Sequence, residues 1–288
     1  MRRKGLGVAA ISYDSEQILA DYSKRNGITF PLLSDPGSAT IRRYGILNTV
    51  AEEGLVSQGK DPALTADIER YVTVTELTER FRGIPFPGTF VLDAQGRVTS
   101  RFFEDYYRER STASTLLLKL GDAGTAVQAT QVSTDYLDLK TYPSDPAIAF
   151  GNRASLVLDF TPKPRIHVYA PGASGYRVIK LTMTPEPFVR TLPMQYPASE
   201  IYFFAPLNER VPVYQRPFTL LQEVVLEATP QAQEALKGRD KLTLTGTLEY
   251  QACDDKTCFN PTSVPLSWTL EVRPFVPGAG RGAGRGGR

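Results

Sequence analysis

Cys253 and Cys258 are the two cysteines of a 288-residue chain, separated by four residues within the stretch YQACDDKTCFNP. The spacing admits three chemistries: half of a metal site, a structural staple, or a working dithiol. A zinc site takes four ligands. Besides the two thiols the chain has one histidine, His167, and no second Cys or His cluster, so no metal is expected. A disulfide closing so short a loop stabilises a fold by only about 2 kcal/mol in the chain-entropy view. A domain that buries its own core does not depend on that amount, and the short loop suits a bond that opens and closes. On the residues alone the inert staple stays open beside the working dithiol. Reactivity requires one sulfur that is reachable and partly ionised. Lys256 inside the loop favours a thiolate, whereas Asp254 and Asp255 oppose it. Exchange of this kind passes electrons from sulfur to sulfur, so no cofactor is expected.

The elements that must position this pair are read from composition and pattern. The length suits two domains, each large enough for its own core. A net charge of +2 is too small to argue for a nucleic-acid partner. Much of the excess comes from Arg281, Arg285 and Arg288 in GAGRGAGRGGR, expected to be a flexible tail over residues 276–288. No apolar run approaches the roughly 18 residues that cross a bilayer. The start MRRKGLGVAA lacks the apolar centre of a secretory signal, so the chain as written carries no export address.

Residues 1–121 alternate short apolar runs with helical patterns. GLGVAAISYD reads as a strand buried on both faces, and DSEQILADYSKRNG as a helix capped by Asp14, with Gln17 at the capping-box position and Gly27 as its left-handed stop. ITFPLLSD is a second strand, and Asp35-Pro36 opens a second helix. ALTADIERYVTVTELTERF is a helical candidate, TFVLD and RVTSRFF flank a turn at Ala94-Gln95-Gly96, and STASTLLLKLG closes the domain. This order predicts an α/β fold. From residue 122 to 275 the texture changes to strands at short intervals: ASLVLDFTP, YRVIKLTMTP, FTLLQEVVLEA, KLTLTGTLEY and VPLSWTLEVRP. Leu242, Leu244 and Leu248 alternate with polar residues, the period of a half-buried strand. The pattern predicts an all-β sandwich of immunoglobulin-like type.

The first half resembles the AhpC/TSA peroxiredoxin or redoxin family of thioredoxin-like fold, through VAAISYDS, ITFPLLSDP, RRYGI and PGTFVLDAQGRV in that order. The resemblance implies a cis-proline at Pro87, before the strand TFVLD. It also places the family's catalytic cysteine, with its strand and helix, upstream of Met1, so this domain reads as incomplete. No residue between 1 and 252 supplies a thiolate, and a peroxidase cannot run on this half as written. Either the chain is a piece of a longer peroxidase-like protein or the domain is degenerate and structural.

The second half resembles the N-terminal periplasmic domain of the thiol:disulfide interchange protein DsbD. EYQACDDKTCFNPTSVPLSWTLEV carries the likeness, with RIHVYAPG and LNERVPVYQRPF upstream. The resemblance implies that Cys258 exchanges with partner thiols and that Cys253 resolves. It implies a pocket lined by His167 and Tyr169, bordered by Tyr250 and Phe259, and a hydrophobic cap at Phe204 or Leu207. It further implies an extracytoplasmic, periplasmic location and a thiol- or disulfide-bearing protein partner, of which a membrane electron transporter is one. Phe259 and Trp268 also read as packing residues. The different reading is a docking module with an inert disulfide.

Overall fold

The computed structural model describes residues 5–57, 79–103, 109–121, 129–204 and 208–273. They form two compact units that divide between Glu109 and Arg110, so the helix within STASTLLLKLG belongs to the second unit. Most of the helical candidate ALTADIERYVTVTELTERF, the cap candidate Leu207 and the Gly/Arg tail lie outside the described residues.

In the first unit β1 (Ala10–Ser12) is followed by α1 (Glu16–Asn26) and β2 (Leu32–Ser34), and the two strands pair in parallel with Ile11 opposite Leu33. Ser15, one residue later than expected, caps α1 by accepting the Ile18 amide; Asp14 instead accepts the Ser12 hydroxyl at 2.6 Å. Gly27 ends the helix at φ 60°, where a residue without Cβ carries no steric penalty. The second helix, α2 (Ala39–Arg43), starts after Ser38 and not at Asp35-Pro36, because Pro36 lies in a turn; the Asp35 carboxylate still serves it by accepting the Thr40 and Ile41 amides at 3.1 and 2.9 Å. α3 (Thr49–Ser57) was not expected. Its local signal is Asn48, whose side-chain oxygen accepts the Ala51 amide at 3.0 Å.

β3 (Gly88–Leu92) and β4 (Val98–Phe103) make the expected hairpin, its turn held by the Asp93 carboxylate on the Gln95 and Arg97 amides. Two expectations for this unit are corrected. Ile11 is 44% exposed rather than buried, and its partner Leu33 is 48% exposed, because β1 and β2 form a sheet of two strands with no further described strand beside them. The bond before Pro87 is trans, as is every described peptide bond. The Phe86 amide donates to Ile46 O at 2.7 Å, and trans is the lower-energy isomer of an X-Pro bond in such an extended run.

The second unit opens with β5 (Arg110–Ser111) and α4 (Ala113–Lys119). Thr112 caps α4 by accepting the Thr115 amide, and its hydroxyl donates to Asp145 at 2.6 Å. Three sheets follow. One comprises β12 (Val189–Thr191), β15 (Phe218–Leu226), β9 (Asn152–Pro162), β7 (Leu137–Pro143) and β6 (Thr130–Ser133), with β5 paired to β9. A second comprises β11 (Lys180–Met183), β16 (Lys241–Tyr250), β18 (Thr262–Arg273) and β8 (Ala147–Ala149). The expected alternation holds in β16, whose even-numbered residues Leu242, Leu244 and Leu248 are buried. They join Leu156, Leu158 and Leu220 of the first sheet in a single apolar cluster, so the core lies between the two. Trp268 is buried there, and its indole N–H donates to Thr141 at 2.8 Å, which satisfies the one polar atom such a ring brings into a core.

The third sheet runs β13 (Glu200–Phe204), β14 (Glu209–Tyr214), β10 (His167–Tyr169) and β17 (Ala252–Cys253). It has its own small cluster of Tyr169, Val211, Val213 and Cys253. A short helix, α5 (Pro230–Ala235), with Thr229 as cap, connects β15 to β16.

Candidate redox site

β16 delivers the chain to Tyr250 in the core, and the next residues leave that sheet for the third one. In β17, Cys253 lies directly opposite His167 of β10. The chain then reverses. The Asp254 amide donates to Thr257 O at 2.9 Å, and the Asp254 carboxylate accepts the Lys256 and Thr257 amides at 2.8 and 2.7 Å. This is an Asx-type turn, built by the acidic residue that the sequence placed there. The two amides hold the Asp254 carboxyl below the usual carboxylate range. The Phe259 amide closes the hairpin on Ala252 O at 2.9 Å, and Cys253 and Cys258, now facing each other, are joined as a disulfide.

The two sulfurs differ in environment. Cys253 is 1% exposed, whereas Cys258 lies on the exposed part of the turn. The Tyr169 hydroxyl is 3.0 Å from Cys253 Sγ and 3.4 Å from Cys258 Sγ. A disulfide sulfur carries no hydrogen, so the phenol is the donor. Burial, reinforced by Tyr176, Glu209 and Tyr202, pushes the Tyr169 phenol well above its ordinary range, so it keeps its proton. Tyr176 stacks on Tyr169 at 4.1 Å between ring centres and donates its own hydroxyl to Glu209 at 2.7 Å. His167 is buried, with Tyr202 tilted against it at 4.5 Å and Tyr169 edge-on at 5.6 Å. Burial depresses its basicity, and Asp255 and Asp254 partly offset this.

The hairpin β13–β14 is tied to the site at two places. Tyr202 donates to Asp255 at 3.1 Å, and Glu209 accepts from Tyr176. Of the residues expected here, His167, Tyr169, Cys253 and Cys258 come together. Phe204 ends β13, paired with Glu209, the residue that receives Tyr176. Tyr250 and Phe259 do not line the sulfurs. Tyr250 is fully buried in the main core, its hydroxyl 2.8 Å from Thr134, and Phe259 stacks on Tyr136 at 4.6 Å. Both hold the ends of the cysteine hairpin instead. Tyr176 and Tyr202 were not singled out from the sequence, and Asp255 was read there only as a charge opposing the thiolate. Tyr202 was obscured because its strand neighbours Ile201 and Phe203 are the exposed ones, at 62% and 49%, which reverses the usual alternation. No group of three or more His, Cys, Asp or Glu able to hold a metal occurs among the described residues.

No curated protein matches the chain. Among solved structures, the N-terminal periplasmic domain of ScsB from Proteus mirabilis aligns at 12% identity and a TM-score of 0.36, over 48% of this chain and 49% of that one. The chain thus spans about half the length of that relative. The DsbD N-terminal domain of Neisseria meningitidis in the reduced form aligns at 14% identity and a TM-score of 0.27, over 41% of this chain and 81% of that one. Two family models divide the sequence between them: residues 1–101 match the AhpC/TSA family, and residues 139–265 match the N-terminal domain of thiol:disulfide interchange protein DsbD.

Proposed function

We propose that the second unit is an immunoglobulin-like thiol–disulfide exchange module working outside the cytoplasm. Cys258 is the sulfur that meets the partner, and Cys253 is the resolving thiol. The observation that carries this reading is the asymmetry of the pair, one sulfur buried beneath a phenol and the other on the exposed turn. In the oxidised protein a partner thiolate attacks Cys258 Sγ, the S–S bond breaks, and Cys253 leaves as a thiolate. Tyr169 donates a hydrogen bond to that leaving sulfur, and the product is a Cys258–partner disulfide. A second partner thiol then releases Cys258, so two partner thiols become a disulfide and this pair takes up two electrons. In reverse, Cys258 attacks a partner disulfide and Cys253 displaces the partner.

The match of residues 139–265 to the DsbD N-terminal model supports this chemistry and the oxidising location in which such pairs persist. The partner is a protein bearing a thiol or disulfide, a membrane electron transporter among the candidates. No helix of the described residues is long and apolar enough to cross a membrane. The first unit, matched to AhpC/TSA, has no cysteine in this sequence, so the proposed thiol chemistry of the chain rests on the second.

Replacing the resolving thiol tests the assignment. Cys253→Ser should accumulate a Cys258 adduct with a disulfide-bearing protein, one partner sulfur joining Cys258 and the other leaving as a thiolate, visible as a reductant-sensitive species, whereas Cys258→Ser should not. Absence of any adduct across redox buffers would favour the inert docking module.

A further inference from the structure

Beside the disulfide lies an open groove of about 780 Å³, lined by residues that the exchange chemistry above does not use. Its lining includes Tyr176, Arg177, Lys180, Tyr196, Gln251 and Pro261. The groove is continuous with the redox site through two residues. Tyr176 stacks on Tyr169, the phenol that contacts both sulfurs. Gln251, two positions before Cys253, accepts the Arg177 amide at 3.1 Å and donates to Phe259 O at 3.1 Å, the residue after Cys258. A chain lying in the groove would therefore run alongside the exposed end of the cysteine turn.

The charge of the lining is one-sided. Arg177 and Lys180 are exposed, and neither forms an ion pair among the described residues. Glu249 faces Lys180 across the β11–β16 ladder without lining the groove, and Glu209 accepts the Tyr176 hydroxyl. The acids of the cysteine turn are engaged elsewhere, Asp255 with Tyr202 and Asp254 with its own turn amides. Two unpaired cations among tyrosine and proline surfaces suit an extended polypeptide with acidic side chains, because the rings offer apolar contact and the cations steer and hold the charge.

Resting on the exchange reading above, we propose that this groove docks an acidic, extended segment flanking the reactive cysteine of the partner, and that Arg177 and Lys180 set the preference. The probes are three synthetic cysteine peptides, acidic, neutral and basic, each carried as a thionitrobenzoate mixed disulfide. Reduced Cys258 attacks the peptide sulfur and thionitrobenzoate leaves with the electron pair. Cys253 then closes the protein disulfide and releases the peptide thiol, so two protein thiols are oxidised as one peptide disulfide is reduced. At low salt the 288-residue chain should react with the acidic peptide at least about threefold faster than with the neutral one, the scale of exposed ion pairs. Molar salt should erase the difference. The R177E/K180E variant should invert the ranking in favour of the basic peptide, while its reaction with the small uncharged disulfide of 2-mercaptoethanol stays unchanged. Equal rates for the three peptides, or a ranking that survives charge reversal, would overturn the docking assignment and leave exchange intact. Failure of every peptide and of the small disulfide to react with the unaltered protein would instead overturn the exchange reading on which it rests.

Discussion

Tyr169 is the residue whose loss separates chemistry from packing. Tyr169→Phe keeps the ring stacked on Tyr176 and removes only the hydroxyl that reaches both sulfurs. A hydrogen bond to a charged sulfur contributes about 1.5 kcal/mol or more, so exchange in the phenylalanine variant should slow by roughly tenfold, measured by stopped-flow with a small disulfide, while the melting temperature changes little. His167 makes a different prediction. Its basicity is lowered by burial, so the unfolded chain binds the proton more readily than the native one does. Stability should therefore rise with pH through the window just below the ordinary histidine value, and fall as the solution is acidified through it. His167→Gln should flatten that dependence between pH 7 and 5 in urea titrations, whereas the contribution of Asp254, whose folded value is depressed, is lost only in the more acidic range below the usual carboxylate value. A slope unchanged in the glutamine variant would assign the dependence to another group. The cysteines, His167 and Tyr169 were legible because residue type and family pattern mark them. Tyr202, Tyr176 and Asp255 were not, since their roles arise from bonds spanning 33 to 53 residues of chain.

Long strands declare themselves and short ones do not. β9, β15, β16 and β18 each run nine residues or more; β16 and β18 alternate buried and exposed residues, whereas β9 and β15 carry near-continuous buried runs, and both patterns are long enough to read from sequence. β10 and β17, the strands that hold the site, have three and two residues. Too short to show a period, they exist through tertiary pairing of His167 with Cys253 and Val168 with Tyr214. β1 misled in the other direction: a continuous apolar run suggests burial on both faces, but burial also requires neighbours, and among the described residues it has a single partner strand. In β16, Gly246 breaks the alternation of leucines and threonines for a steric reason. A Cβ there would stand 2.9 Å from Thr182 O in the adjacent strand β11. Gly246→Ala should push β11 away and cost about 1–3 kcal/mol, seen as a lower urea midpoint. Because Lys180 lies on the same strand, this variant should also weaken the preference for acidic peptides.

At the scale of the molecule, the second unit begins at Arg110, earlier than the change of texture near residue 121 suggests. Helical composition assigned STASTLLLKLG to the α/β half, but the contacts of α4 decide its membership. Lys119 bonds buried Glu223 of β15 at 2.8 Å, and the Thr115 hydroxyl accepts from Ser155 of β9 at 3.3 Å. Losing α4 takes a charged partner from a buried carboxylate that retains Arg153 at 3.7 Å and Gln195 at 2.7 Å, so it weakens the site without leaving the charge bare. A fragment spanning 110–275 should thus unfold cooperatively at a clearly higher urea concentration than one spanning 122–275, and equal midpoints would show that α4 is dispensable. The whole account turns on whether the second unit carries a working dithiol, and the reduction potential of the Cys253–Cys258 pair measures that directly, by thiol trapping of the purified protein across graded redox buffers. A value between about −180 and −270 mV is predicted, the range of exchange proteins, whereas a value below about −300 mV is that of a structural disulfide and would contradict the exchange function.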